Sequence, residues 1–349
     1  MKLLFVGLGS IGQRHLRNVR RLFGEDVEIS AYRVRRLNHT FSDSMTIRDG
    51  VNLEEEFNIK VFTDYSEALQ NRPNVVFITN ITAKHIECAM EAVRAGCDIF
   101  MEKPLSDNFD RIQELENIVR EKDCVFYMGF QNRFHPCIQY AKTVLAQDML
   151  GNLLSVSNEF GERLTTMHSY EDYRQTYMAK KDMGGGPILN LQIHCFDYLQ
   201  WLIGIPISVC TTVPETFGID IDVEGAASSL FSFQTHQGKI IPVYSHTDFF
   251  QFPPTHRLKI VGEKGYLDMD LNKAKCSLYV EGVLKEEVCF QQFVRNDMFI
   301  EELKDFFDCV KNRKQPDMNL QQGIVSLRMA LAAKESGKNH VVVKMEDIV

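Results

Sequence analysis

The sequence predicts an α/β protein in two parts: an N-terminal doubly wound parallel sheet, then an α+β domain on an open, mainly antiparallel sheet. Three observations carry this expectation. Short apolar runs alternate with amphipathic helical repeats over residues 1–128. A glycine-rich turn joins the first run to the first repeat. After Gly129 longer strand-like stretches follow one another, with few helices between them. The chain has 349 residues, which at about 150 per domain fits two domains, 1–128 and 129–349. At this size about three quarters of the unfolded surface is buried on folding, so a core needs no disulfide or metal.

The elements follow in order. Leu3-Leu4-Phe5-Val6 is a buried strand bounded by Gly7. Ile11, Leu16, Val19 and Leu22 recur at helical spacing until Gly24. Val27–Tyr32 is a second strand, and residues 36–56 are a polar insertion without a legible period. Val75–Ile78 is a strand leading into a helix with Ile86, Ala89, Met90 and Val93 on one face. Cys97–Met101 is the next strand. A helix through Phe109, Ile112, Leu115, Ile118 and Val119 follows, then the strand Cys124–Met128. In the second part the stretches 152–162, 207–213, 226–235, 238–248 and 256–261 read as strands. Ser228, Leu230, Ser232 and Gln234 do not alternate cleanly, so the burial of each face stays open. Helices are expected near 187–203, 296–312 and 321–336, and the last two can pack back on the first domain.

Composition removes whole classes of function. Apolar residues are 44% and charged residues 25%, which excludes collagen-like, coiled-coil and wholly disordered chains. Lys and Arg total 39 against 47 Asp and Glu, a net charge of −8, so neither nucleic acid nor an anionic membrane is the expected partner. Nine scattered cysteines with no C-x-x-C pair read as reduced, mostly buried thiols. Met1–Phe5 is too short for a signal peptide and no apolar run is long enough to span a bilayer, so the cytoplasm is the expected location. No His, Cys, Asp and Glu cluster has metal-ligand spacing, and no metal is expected.

Gly7-Leu8-Gly9-Ser10-Ile11-Gly12 is a G-x-G-x-x-G turn directly after a strand and at the start of a helix. That is the context of a Rossmann dinucleotide site. Gly7 makes the tight turn, Gly9 lets a pyrophosphate approach the backbone, and Gly12 lets helix and strand pack closely. The helix N-terminus adds free N–H groups and the positive end of a dipole. About 20 residues on, NAD sites carry an acid for the ribose hydroxyls. Here the chain reads Ala31-Tyr32-Arg33-Val34-Arg35-Arg36. Arg33 and Arg36 suit a 2′-phosphate, so NADP(H) is favoured and NAD(H) stays possible.

Further motifs follow in order. Glu102-Lys103-Pro104-Leu105 comes after a strand, Gly129-Phe130-Gln131-Asn132-Arg133-Phe134 opens the second part, and Gly184-Gly185-Gly186-Pro187 leads into Ile188-Leu189-Asn190-Leu191-Gln192-Ile193-His194. With the glycine turn, these resemble the Gfo/Idh/MocA family (glucose–fructose oxidoreductase, inositol dehydrogenase and relatives) over residues 2–338. The resemblance implies an NAD(P)-dependent oxidoreductase that interconverts hydroxyl and carbonyl on a sugar, cyclitol or nucleotide-sugar derivative. It also implies a homo-oligomer, dimer or tetramer, through the C-terminal sheet. It makes Lys103 and His194 the active-site lysine and histidine, and Pro104 the residue that sets the lysine's loop. Thr79, Asn80, His85, Glu102 and Asn132 match cofactor-lining positions, beside Ser10 and Ile11 of the glycine turn. The family's dehydrogenase signature has Asp four residues before the histidine, where this chain has Asn190.

Taken as chemistry, the Lys103 ammonium suits polarising a substrate oxygen during hydride transfer, and His194 suits proton exchange with it. In an α-helix Asn190 and His194 share a face, but an amide exchanges no proton near neutral pH. Asn190 is therefore expected to orient substrate. Asp197, one turn on, has a structural reading. Segment 163–181 carries Arg163, Tyr170, Tyr173, Arg174, Tyr177, Lys180 and Lys181. Tyr173, Arg174 and Tyr177 are substrate candidates, since tyrosines stack on rings and arginines pair with phosphate. An oligomer contact explains the same residues. Arg14, His15, Arg17, Arg20 and Arg21 read as a solvated helix face, with Arg14 or His15 near the cofactor. The rival functions are a nucleotide-binding sensor without catalysis, favoured by Asn190, and a redox lyase or hydrolase holding NAD tightly.

Overall fold

A computed structural model describes residues 1–35, 38–42, 46–167, 171–216 and 218–348. The chain divides into two compact units, Met1–Phe130 with Phe299–Ile324, and Gln131–Met298 with Val325–Val349.

The first unit holds strands β1 (Lys2–Val6), β2 (Glu28–Tyr32), β3 (His39–Phe41), β4 (Ile47–Asp49), β5 (Lys60–Phe62), β6 (Val75–Ile78), β7 (Asp98–Glu102) and β8 (Phe126–Gly129). Its helices are α1 (Ser10–Phe23), α2 (Leu53–Phe57), α3 (Tyr65–Gln70), α4 (His85–Arg94) and α5 (Ile112–Lys122). Six strands form one parallel sheet in the order β5-β2-β1-β6-β7-β8. The order reverses between β2 and β6 on either side of β1, which places the glycine turn at the switch point where doubly wound sheets bind ligands. Among the described residues of this region, β3 and β4 pair antiparallel and α2 follows. Registered strands bring Phe5, Phe77, Phe100 and Tyr127 side by side. Their rings stack at centroid distances of 4.5, 5.1 and 5.6 Å, and Phe306 meets Phe100 edge-on at 5.3 Å. This aromatic ladder removes four large rings from water and forms the core of the unit.

The expected solvated face of α1 is corrected. Arg14 is 5% exposed with its guanidinium 4.9 Å from the Phe299 ring centre, and His15 is 0% exposed. Arg20 donates to the carbonyls of Gly24, Val27, Phe57 and Asn58. Arg20 thus serves as an internal donor to carbonyls at a helix end and at loop ends, which lack backbone partners there, while Arg21 stays exposed as expected.

The second unit holds β9 (Leu153–Gly161), β10 (Gly204–Thr212), β11 (Ala226–Thr235), β12 (Ile240–Asp248), β13 (Thr255–Gly262), β14 (Gly265–Asp270), β15 (Lys275–Val280), β16 (Val283–Cys289) and β17 (Val343–Lys344). Its helices include α6 (Pro136–Ala146), α7 (Leu164–Met167) and α8 (Ile193–Leu202), while α9 (Arg295–Asn312) and α10 (Leu320–Asn339) close the chain. The sheet order is β16-β15-β14-β13-β9-β12-β11-β10-β17, antiparallel except for β9 beside β12. Strands β14 to β16 went unread in the sequence. On β11 the inward set is Ala227, Ser229, Phe231 and Phe233, all 0% exposed, and Leu230 on the outward set is 52% exposed. Ser229 stays inside because its Oγ meets Thr211 Oγ1 at 2.9 Å.

Candidate functional site

The carboxyl ends of β1, β6 and β7 are laced together by hydrogen bonds. Gly7 has φ +91°, and a Cβ on Gly12 would lie 2.5 Å from Gly7 O and 2.7 Å from Thr79 Oγ1. Only glycine fits there. Thr79 Oγ1 donates to Gly7 O at 2.7 Å, pinning the turn to β6. At the end of β7, Glu102 Oε1 meets His15 Nε2 at 2.6 Å and Glu102 Oε2 accepts the Lys103 N–H at 3.3 Å. His85 Nδ1 lies 2.8 Å from Pro104 O and its Nε2 lies 3.2 Å from Asn80 O. Burial pushes the His85 pKa down, and the two carbonyls push back only in part. The ring is therefore neutral near pH 7, and its one N–H is best placed on Nδ1, toward the shorter contact. The Lys103–Pro104 bond is cis. Thr79, His85 and Glu102 thus hold the loops that shape the cofactor edge, and Lys103 projects from them half-buried.

This edge suits a dinucleotide. Gly9 starts α1 with no side-chain cap, and no acid stands in the first turn. Space around the Gly9 Cα is open to 4 Å. Asn80 Oδ1 is buried and meets no donor among the described residues. Gly7, Gly9, Ser10, Ile11 and Gly12 would hold the pyrophosphate. At the end of β2, Arg33 is 6% exposed and its N–H bonds Phe62 O at 3.0 Å. Arg36 lies outside the described residues, as does Tyr170.

In the second unit the segment before His194 departs from the expected regular helix. Residues Ile188–Gln192 form a π-helical turn, in which the Ile193 N–H reaches Ile188 O five residues back, and α8 begins only at Ile193. Such turns recur at functional sites. The four-residue step from Asn190 to His194 therefore crosses from a wide turn into an α-helix. Asn190 is 3% and His194 7% exposed. Asn190 Nδ2 donates to Gly186 O at 2.8 Å, so part of its donor capacity is spent inside the protein.

Around α8 stand three supports whose pairing the sequence reading missed. Arg133 grips Asp197 with bonds of 2.8 and 2.6 Å, both residues being buried. Burial pushes the Asp197 carboxyl up, against the pull of Arg133. Gln192 Nε2 donates to Ser245 O and Oγ at 3.1 and 3.0 Å. Tyr198 OH joins Asn158 Nδ2 at 2.6 Å and His256 Nε2 at 3.2 Å. A signal existed only for Asp197, as an acid one turn beyond His194. Asn132 is buried in the first turn of this unit.

The tyrosine-rich segment is largely self-satisfied. Arg174 forks onto Asp172 at 2.6 to 3.0 Å, and Tyr173 OH accepts the Asp220 N–H at 3.1 Å. Tyr173 and Tyr177 pack against Leu164, Met178, Ala179, Leu191 and Phe249. Among the described residues no group of three or more His, Cys, Asp or Glu could hold a metal ion, and no helix is long and apolar enough to cross a membrane.

Residues 1–130 match the oxidoreductase family with an NAD-binding Rossmann fold, and residues 138–268 match the GFO/IDH/MocA C-terminal domain. The chain belongs to the Gfo/Idh/MocA oxidoreductase family. It is 23% identical over 362 residues to the myo-inositol 2-dehydrogenase of Thermotoga maritima, covering 100% of both chains. It is 24% identical to the uncharacterized oxidoreductase YrbE of Bacillus subtilis, over 95% of this chain and 92% of that one. Among solved structures, levoglucosan dehydrogenase in complex with NADH and levoglucosan superposes with a TM-score of 0.83 at 15% identity, covering 99% of each chain. UDP-N-acetylglucosamine 3-dehydrogenase GnnA from Acidithiobacillus ferrooxidans gives 0.74 at 17% identity, covering 97% of this chain and 98% of that one. These two structural likenesses establish the shared fold.

Proposed function

We propose that this Gfo/Idh/MocA oxidoreductase interconverts a hydroxyl and a carbonyl on a sugar, cyclitol or nucleotide-sugar derivative, with NADP(H) preferred over NAD(H). The nicotinamide, when bound, supplies or accepts the hydride. Lys103 stabilises charge on the substrate oxygen, and His194 exchanges the proton. Asn190 and Tyr177 orient the substrate. The observation that carries this reading is the fixed setting of Lys103: His15, buried under the sheet end, locks Glu102, and Glu102 in turn holds the Lys103 N–H. Relatives include enzymes named for myo-inositol, levoglucosan and UDP-N-acetylglucosamine, which supports the substrate class. NADP(H) is supported by Arg33 and Arg36 in the stretch that follows β2, where the sequence has no acid.

The test is a screen of free, phosphorylated and nucleotide-linked sugars and cyclitols with both nucleotides, following reduced-nicotinamide absorbance. Lys103→Ala should lower turnover at least about 100-fold, with nucleotide binding retained by calorimetry. One observation favours the non-catalytic reading: Asn190 turns its amide N–H to Gly186 O. Wild-type protein that binds the nucleotide yet turns over nothing in the screen would establish that reading instead. For assembly, we propose a homo-oligomer through the outward sheet face, supported by exposed Leu230 directly opposite Tyr244, at 52% and 42% exposure. Light scattering that reports a single chain at micromolar concentration would remove it.

A further inference from the structure

Glu224 stands in the loop before β11, outside every motif read from the sequence. Its side chain is only 9% exposed, and Oε2 meets Lys334 Nζ on α10 at 3.2 Å. Its Oε1 is buried and receives no donor among the described residues. The position of this carboxylate is defined by Gly186. A Cβ built on Gly186 would lie 2.3 Å from Glu224 Oε1 and 2.5 Å from the carboxyl carbon, at a φ of +97°. The acid therefore rests on the Cα of Gly186. On its other side, the carbonyl of the same glycine accepts Asn190 Nδ2 at 2.8 Å and the Asn190 N–H at 3.1 Å. One glycine joins a buried anion to the amide that opens the substrate helix.

We propose that Glu224 is the acidic positioning residue of this helix, carrying across Gly186 the negative charge that an acid at position 190 would otherwise carry. The proposal rests on reading Asn190 and His194 as the substrate side of the site. The physical ground is that two ionised carboxylates set on either side of one buried glycine repel. An ionised carboxylate at 190 would also turn an acceptor toward Gly186 O, where the present amide supplies a donor. The other charged or titratable groups on segments around this turn are Lys180, Lys181 and Asp182 before the glycines, Asp222 before Glu224, and His194 after it. Asp222 is already engaged, its Oδ1 accepting the Lys181 N–H at 2.6 Å.

A charge swap in the full-length protein tests this. Asn190→Asp, Glu224→Gln and the double variant are compared by thermal unfolding at pH 8 and pH 5. Asn190→Asp alone should lower the midpoint at pH 8 by about 4 °C or more. The loss should shrink at pH 5, because a carboxyl held up by its neighbour regains its proton there and can again donate to Gly186 O. The double variant should recover part of the pH 8 loss, the part due to the charge on Glu224. Should Asn190→Asp fail to fold at pH 8, folding of the double variant reads the same coupling. Additive losses, a loss independent of pH, or a double variant that also fails to fold would overturn the proposal. On any sugar that the substrate screen identifies, Asn190→Asp should lose kcat at pH 8 and the double variant regain it. A coupled unfolding cycle in a protein that turns over no sugar would leave the charge assignment standing and remove the enzyme reading. Normal turnover with an additive cycle would do the reverse.

Discussion

Two glycine runs open two helices in this chain, and they serve opposite ends. At Gly7–Gly12 the middle glycine is exposed with open space around its Cα, while Gly12 is pressed against Gly7 O and Thr79 Oγ1. At Gly184–Gly186 the space is already filled by the protein itself. Gly185 faces the carbonyls of Tyr177, Met178 and Lys180, each 2.7 Å from a built Cβ, and Gly186 faces Glu224. The first run leaves room for a ligand. The second lets the chain's own polar groups close on the backbone. A glycine-rich turn before a helix thus states that something approaches closely, and only its neighbours say whether that is a ligand or the protein.

The comparison can be broken most sharply at Gly186. Gly186→Ala should cost about 3 kcal/mol or more, because the left-handed φ is strained for any side chain and the Cβ meets a buried carboxylate. Unfolding in urea measures this, and a change below 1 kcal/mol would mean that Glu224 swings aside freely. Acid comes next. The helix after this run rests on Tyr198 and His256. Burial lowers the His256 pKa to about 3, and lowers that of His135 to about 4. Both folded values lie below the unfolded value near 6.5. The stabilisation is therefore complete above pH 6.5 and is lost as pH falls toward 3, on the order of a few kcal/mol. His256→Gln should flatten the acid limb of midpoint against pH, and an unchanged limb would reassign acid sensitivity to other groups.

Smaller effects belong to the first run. Arg33→Ala should weaken NADP binding by about 1.5–3 kcal/mol, the scale of a charged hydrogen bond, and leave NAD nearly unchanged. Equal losses in titrations with both nucleotides would show that this buried arginine supports the fold and does not read the 2′-phosphate. The smallest stability effect is expected at Gly9. Gly9→Ala should alter unfolding by less than about 0.5 kcal/mol, since its Cβ meets nothing, yet weaken either nucleotide by occupying the approach to the backbone. A protein that loses stability instead would place Gly9 with Gly186 on the self-filled side of the comparison.

Much of the first unit was legible because its signals are local. Apolar runs such as Leu3–Val6 and Val75–Ile78 are buried on both faces, and helix repeats such as Ile86, Ala89, Met90 and Val93 keep a 3.6-residue period. The glycine turn and the Glu102–Pro104 turn are likewise contiguous in sequence. Strand β16 escaped because an edge exposed to water needs no apolar alternation: among Val283–Cys289 only Val288 is even partly buried. Strands β14 and β15 do bury Leu267, Met269, Cys276 and Leu278 in alternation, but over only six residues each. The π-helical turn at Ile188–Gln192 escaped because one residue's change of hydrogen-bond register leaves the apolar pattern intact.

Local order therefore determined the class of fold and the place of the dinucleotide turn, and the resemblance of its motifs to a known family made Lys103, Asn190 and His194 candidates. Only the tertiary structure decided which polar groups answer one another. His15 and Glu102 are 87 residues apart and meet at 2.6 Å, while Arg133 and Asp197 are 64 apart and meet at 2.6 Å. Glu224 settles on Gly186 and Lys334 although no motif marks it. A buried charge must be paired, and the sequence shows the charge without showing its partner. The pairing is set by which strand ends and helix turns the sheet order brings side by side.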